Sequence, residues 1–362
     1  MLGRDKKYRE GSDCGRFLRP QWRKSDTGEV EMADQVLDEL DRSLVCALQV
    51  DGRAEPGRIA EVLGVSARTV TRRLARLQHT GALRVVRLPA VEEAALGALL
   101  LRVRVLRGKV EAIAHALAAR PDVPFVDIML GGHEVSAVML ADPGSRDHLV
   151  HAQLPATGSV VEASAHAVLH VFTDAGRWRA GYLAADQTAA LEPEPPTTPP
   201  PALDELDRRL LAELGEDARR SHAALAAAVG APESTVRRRL ARLAAGGLLR
   251  THATVDARLL GMTVDANLWL DVPPGRLAEV GERLAGHPQV HGVLATSGPA
   301  NLMATVFCPD HAGLYRFTTE TLGPLGISRV ETAIVARAVK RAGVPLRGEP
   351  APGGRRPVRA SR

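Results

Sequence analysis

Cysteine is scarce in this sequence, and Cys14, Cys46 and Cys308 are far apart and odd in number. That spacing argues against a disulfide framework and against a clustered thiolate metal site, and it fits a reducing compartment. No apolar run approaches the roughly 18 residues of a transmembrane helix, and the first residues are polar and mixed in charge, unlike a signal peptide. A cytoplasmic protein with no membrane attachment is expected. Lysine is also sparse: nearly all the basic residues are arginine and alanine is abundant, the habit of a GC-rich genome, so arginine richness alone says little about function. Gly-rich phosphate loops, Ser elbows and Cys-His signatures are missing as well. No catalytic residue, cofactor or metal is therefore expected.

What is present suggests more than one domain. The 362 residues exceed a single ordinary core, and 45% apolar with 25% charged residues is an ordinary globular balance. A net charge of +5 and a pI near 9.4 lean toward a polyanionic partner. The chain also repeats itself. LDELDRSLVCAL from Leu37 returns as LDELDRRLLAEL from Leu203, an offset of 166 (203 minus 37), and the match runs without a gap to Arg84 against Arg250. Roughly half of the aligned positions are identical, which marks two copies of one unit.

The boundaries follow from composition and periodicity. Residues 1–33 read as a disordered tail, with Met32 as an alternative start, and 343–362, rich in Gly, Pro and Arg, as another. Between them lie a helix-turn-helix domain at 34–90, a sensing module at 97–175, a Pro-rich linker at 186–202 expected to be extended and poorly packed, a second helix-turn-helix domain at 203–256 and a second module at 262–341.

Each copy opens with three helices. Leu37, Leu40, Leu44 and Leu48 recur at helical spacing behind Asp38, Gly64 breaks a short second helix, and Ser66 can cap a third. Val70, Leu74 and Leu77 form the buried stripe of that third helix, leaving Arg68, Thr71, Arg72 and Arg76 on its open face, with Ser66 and Thr69 at its start. No acid occurs between Ser66 and Arg87. The second copy keeps the design: Val236, Leu240 and Leu243 are buried, Pro232 suits the first turn, and Ser234, Thr235, Arg237, Arg238 and Arg242 complete the open face. An arginine-bearing helix fits the major groove, where its side chains take phosphates or guanine edges. A basic helix met once is usually a solvated face; seen twice behind a short helix and a tight Gly turn, it points to double-stranded DNA.

The remainder of each copy has strand periodicity in the order β-α-β-β-α-β, the ferredoxin-like arrangement. The expected fold class is α+β: two helix-turn-helix (winged-helix-like) DNA-binding domains and two ferredoxin-like βαββαβ sensing modules. The strand Leu99–Val105 places Arg102 and Arg104 on the face away from its helices, and the second copy places Trp269 and Asp271 there. These faces are expected to pair within one chain as a pseudo-dimer.

LDELDRSLVCAL, then RIAEVLGVSARTVTRRLARLQHTGALR and the βαββαβ module, resemble the Lrp/AsnC family of feast/famine regulators over about 37–172 and 203–340, in a tandem duplicated form. The resemblance implies a sequence-specific transcription regulator, assembly of the chains into a homo-oligomer, and a small-molecule effector such as an amino acid. The family's effector turn usually reads Gly-x-x-Asp. Here it reads Gly131-Gly132-His133-Glu134 and Ser297-Gly298-Pro299-Ala300-Asn301, so Gly131, Gly132, Glu134, Gly298 and Asn301 are effector candidates, beside the plainer reading of Gly-containing hairpin turns. His166, His170, His287 and His291 lack a third metal ligand and read as interface or surface residues.

Two other classes compete. Siroheme decarboxylases resemble this family in fold, but their His-x-Tyr-x-Arg type cluster is replaced by Phe125-Val126-Asp127-Ile128-Met129 and Gly292-Val293-Leu294-Ala295-Thr296. An architectural, nucleoid-type DNA-binding protein would share the basic helices. The expectation is a regulator and not an enzyme.

Overall fold

A computed structural model of the chain describes residues 36–87, 98–140, 144 and 147–346. The expected tail at 1–33, the alternative start at Met32, the end of the first domain at 88–90 and the C-terminal stretch past 346 lie outside the described residues.

The first three helices form as the sequence predicts. Helix α1 (Glu39–Val50) starts where the Asp38 carboxylate accepts the Asp41 N–H at 2.8 Å. Helix α2 (Pro56–Leu63) begins on a proline and stops at Gly64, whose φ of 65° only glycine adopts cheaply. Helix α3 (Ala67–His79) is capped by the Ser66 hydroxyl, which accepts the Thr69 N–H at 3.1 Å. The chain then enters strand β1 (Leu83–Arg87).

In the first module, strands β2 (Ala98–Val105), β3 (Phe125–Met129), β4 (Glu134–Leu140) and β5 (Val160–Thr173) lie in the order β3-β4-β2-β5, all antiparallel. Helix α4 (Val110–Ala118) and a helical stretch comprising His148–Gln153 and Leu154–Ala156 cover one face. Alternation explains this core: Leu99, Leu101, Val103 and Val105 of β2 meet Ala114 and Leu117.

The linker departs from expectation. Instead of an extended, poorly packed 186–202, its first part forms helix α5 (Ala185–Leu191), and Leu191 is fully buried in the core of the first helix-turn-helix domain. Arg58 holds the helix end by donating to the carbonyls of Ala190 and Glu192 at 2.8 and 3.1 Å. Pro196 and Pro201 then lie against Gly247 and Gly246. A proline-rich composition describes chain stiffness but not the apolar surface available to it, and Leu191 and the prolines both find such surface.

The second copy repeats the design with helices α6 (Glu205–Glu216), α7 (His222–Val229) and α8 (Glu233–Ala245) and strand β6 (Thr251–Val255). Pro232 sits at the cap of α8, one place before the expected first turn. The second module contributes β7 (Val264–Asp271), α9 (Leu277–Ala285), β8 (Val290–Thr296), β9 (Leu302–Cys308), α10 (His311–Arg316) and β10 (Arg329–Arg341). A last strand, β11 (Val344–Pro345), pairs with β10 after a turn through Gly343 at φ 80°. Val344 is buried, so residues 343–345 belong to the fold and not to the tail expected from 343.

The two modules share one continuous sheet. The far half of β5 pairs with β8, from Val168 opposite Thr296 to Thr173 opposite Val293. The far half of β10 pairs with β3, from Val335 opposite Met129 to Lys340 opposite Val126. Because β10 also pairs with β7, the strands close into a ring, with the helices outside. The inward face buries Leu100, Val168, Trp269 and Met303. Arg102 stacks over Trp269 at 5.1 Å and bridges Glu134 at 2.8 Å and Glu331 at 2.7 Å. The expected pseudo-dimer is therefore formed within the chain, with Arg102 and Trp269 facing each other.

Candidate nucleic-acid interface

The two helix-turn-helix domains are tied together. Strands β1 and β6 form an antiparallel ribbon, Leu83 opposite Val255 and Arg87 opposite Thr251. Arg53 donates to the carbonyl of Ala218, and its counterpart Arg219 donates to the carbonyls of Gly52 and Ala54 at 2.8 and 3.2 Å. Burial pulls both guanidinium pKa values down. Carbonyl acceptors offset that desolvation, and the reciprocal clasp fixes α3 relative to α8.

On α3, Arg68, Thr71 and Arg72 are exposed and Thr69 is half-buried. Ser66 and Thr69 spend their hydroxyls on each other at 2.9 Å, and Thr71 bonds back to the carbonyl of Ala67. Arg76 is exposed on the open face, and its guanidinium also pairs with the buried Asp41. Arg73 pairs with Asp38 and, at 3.2 Å, with Asp41. The second copy reproduces this clamp: Arg242 pairs with Asp207, and Arg239 bridges Asp204 at 2.5 Å and Asp207 at 3.0 Å. The side chains of Asp41 and Asp207 are 2% and 0% exposed, whereas Arg76 and Arg242 are 56% and 45% exposed. Arg239 and the Asp207 N–H hold the Asp204 carboxyl down at about 2. The carboxylates thus anchor each recognition helix to the first helix of its domain, and Arg76 and Arg242 are part of the anchor.

On α8, Ser234, Arg237 and Arg238 are exposed and Thr235 is half-buried. Arg237 pairs with Glu233 at 3.1 Å, an exposed i,i+4 contact worth at most about 0.5 kcal/mol, so phosphate would displace it easily. The basic face consists of Arg68 and Arg72 in one copy and Arg237 and Arg238 in the other.

The Asp41 and Asp207 anchors escaped the sequence reading. Their signal was an acid inside the buried Leu stripe of the first helix, repeated at the same offset of 166 (207 minus 41) as two arginines of the third.

The effector candidates lie at two turns, one in each module. Gly131 and Gly132 form the β3–β4 turn, where Gly132 has φ 68°. Glu134 is engaged by Arg102. Asn301 accepts the Val272 N–H at 2.9 Å and donates to the Val272 carbonyl at 2.7 Å, so both ends of its amide are used. Gly298, at φ 102°, lies so close to His166 that a Cβ there would overlap the imidazole. Gly132 and Gly298 thus take the positive φ that Gly-containing turns require. His166 packs edge-on against Trp269 and His170 against Phe172. His287 meets Phe317, and His291 stacks on Phe307 at 3.8 Å. Among the described residues, no group of three or more His, Cys, Asp and Glu side chains is placed to hold a metal ion.

The AsnC-type helix-turn-helix domain matches residues 37–78 and again 203–244, and the Lrp/AsnC ligand-binding domain matches 265–345. An uncharacterized HTH-type transcriptional regulator of Pyrococcus furiosus is 35% identical over 140 residues, 38% of this chain and 95% of that protein. The HTH-type transcriptional regulator Ptr1 of Methanocaldococcus jannaschii is 28% identical over 140 residues, covering 38% and 95%. Among solved structures, the siroheme decarboxylase NirDL superposes with a TM-score of 0.55 at 14% identity, covering 84% of this chain and 93% of that one. At that identity the likeness is one of fold.

Proposed function

As this chain belongs to the Lrp/AsnC family, we propose that it is a ligand-modulated transcription regulator that reads an asymmetric pair of DNA half-sites with α3 and α8. The observation that carries this reading is the duplicated basic face, Arg68 with Arg72 and Arg237 with Arg238, set on helices joined by the β1–β6 ribbon. Arg68 and Thr71 of one face correspond to Ser234 and Arg237 of the other, so the two helices present different donors. A duplicated chain can evolve each half independently, which a symmetric dimer cannot. The family's setting is a cytoplasm shared with DNA, and among the described residues no helix is long and apolar enough to cross a membrane.

The test is a binding isotherm for the variant with Arg68, Arg72, Arg237 and Arg238 all replaced by Ala. Each base-reading arginine should cost about 1–3 kcal/mol and relax specificity, whereas a phosphate-only arginine should weaken all sequences alike. Retained wild-type affinity in the folded variant would remove these residues from the interface.

A decarboxylase reading has less support. NirDL shares the fold, but a fold does not carry an active site with it. The second strands of the two modules lack Tyr and Arg at the positions in question. Purified protein should show no tetrapyrrole absorption band and no spectral change with iron-uroporphyrin. A packaging role predicts equal affinity for chosen and random DNA at a stated salt concentration; a regulator favours its operator by at least about 1,000-fold.

A further inference from the structure

The space inside the ring of strands is filled in part by Leu100, Val168 and Trp269 and left hollow elsewhere. The hollow measures about 400 Å³, within the range of roughly 300–1,000 Å³ at which proteins hold small molecules. Its walls are largely apolar, built by Phe125, Val138, Leu294 and Met303, and one side carries Asp127, His291 and Arg341.

The polar side is not repeated by the internal symmetry. The matched registers equate Val126 with Val293 and Thr173 with Lys340, an offset of 167 (293 minus 126). Asp127 then corresponds to Leu294, His291 to Pro124 and Arg341 to Asp174. A homodimer would show such a cluster twice or not at all, whereas the fused chain has it once.

Arg341 is shared by two carboxylates, pairing with Asp127 and, at 2.6 Å, with Asp265. His291 lies 3.4 Å from Asp265, and burial drives its pKa down. Within this cluster two carboxylates share one guanidinium, and the cavity wall also carries Arg87, Asp122 and Asp174. The His291 Nε2 faces Asp265 Oδ1 across that 3.4 Å gap, and its Nδ1 meets the Thr305 hydroxyl at 3.2 Å. Burial, and then the nearby Asp265 charge, push the Asp127 carboxyl up to about 6; at Asp265 burial raises the pKa too, but Arg341 and His291 together outweigh it and hold it down. A buried carboxylate that shares its guanidinium with a second one is costly, and a cation with N–H donors would relieve it. The cavity floor includes Arg87 at the end of β1 and Gly215 of α6, so the DNA-binding domains form part of the site.

We propose that this cavity binds one small organic cation per chain, its ammonium group against Asp127 and its apolar body against Phe125, Val138 and Met303, and that occupancy changes affinity for DNA. The second half rests on the DNA-binding reading above; the first does not. The full chain is titrated with 2-phenylethylamine, 2-phenylethanol and 3-phenylpropanoate, following the melting midpoint without DNA and duplex binding by anisotropy. The amine should raise the midpoint saturably, the alcohol less, and the carboxylate not at all. D127N should weaken the amine at least tenfold while keeping the cavity shape, and V138F should fill the cavity and abolish the shift. If D127N does not fold, V138F decides alone. Saturating amine should change wild-type DNA affinity several-fold and leave that of V138F unchanged. A carboxylate as effective as the amine, no amine shift, or a shift that survives in the folded variants overturns the site. An amine shift with unaltered DNA affinity overturns the coupling, and failure of the ligand-free chain to bind any duplex overturns the DNA-binding reading while the melting data still decide the cavity.

Discussion

Replacing both Asp41 and Asp207 with Ala should weaken the fold and strengthen non-specific DNA binding at the same time. Each aspartate lies against the first helix with its side chain almost fully buried, and each takes two arginines of the recognition helix. Breaking a buried ion pair from one side commonly costs about 3–5 kcal/mol, because the surviving charge is left unpaired in a dry place. Here the survivors are 23% to 56% exposed and can rehydrate. The cost should therefore approach that of lost charged hydrogen bonds, about 1.5–3 kcal/mol per domain. Released Arg76 and Arg242 would add two cations beside the basic faces. Each that meets a phosphate steepens the dependence of log affinity on log salt by about 0.9, so the slope should grow by about 2. The assay is anisotropy of random duplex between low and moderate salt, paired with urea unfolding, and Asp→Asn at both sites serves if the alanine variant is too unstable. An unchanged or shallower slope in a folded variant would show that Arg76 and Arg242 already face DNA, and would refute the anchor.

Leu191→Ala should cost about 2–5 kcal/mol if α5 stays docked, or else release α5 and open 185–202 to limited proteolysis; neither change appearing would mean the linker is not held by its leucine. Gly281→Ala puts a methyl group into the Phe172 ring and should lower stability by about 1–3 kcal/mol, with Phe172→Leu restoring most of it; additive losses in urea unfolding would exclude that contact. Burial holds the His252 pKa at about 4, so the unfolded chain, with an imidazole near 6.5, takes the proton first. Its contribution is complete above pH 6.5 and is lost as pH falls toward 4. Asp127, held up at about 6, has the opposite slope between about pH 6 and 4, so the comparison is wild type against His252→Gln: the variant should lose less stability on acidification, and parallel pH profiles would contradict the assignment.

Most of the fold was legible because local and global signals agree. The caps at Asp38 and Ser66, the break at Gly64 and the alternation through β2 each depend on near neighbours. The βαββαβ order and the pairing of the two modules followed from one uncovered face per sheet. Long-range facts were harder to read. The docking of Leu191 depends on a groove made by residues over a hundred positions away, and composition spoke only of prolines. Arg76 and Arg242 looked free because helical periodicity gives a direction but not a partner on another helix. At the effector turns, glycine spacing suggested a site, whereas Asn301 bonds both ways to Val272. The cluster of Asp127, Asp265, His291 and Arg341 joins four strands of both copies, and no linear spacing marks it.

The exchange of long strands between the modules has a consequence for synthesis on the ribosome. When Thr173 has emerged, the outer half of β5 has no neighbour, because β8 begins 117 residues later (290 minus 173). At about 5–20 residues per second, that backbone row stays open for roughly 6–23 s. Unpaired strands recruit others of the same kind, and neighbouring nascent chains on one message offer the same β5. Domain-swapped dimers, with β5 of one chain on β8 of another, are the expected by-product of fast expression, and slower elongation between residues 173 and 290 should increase them.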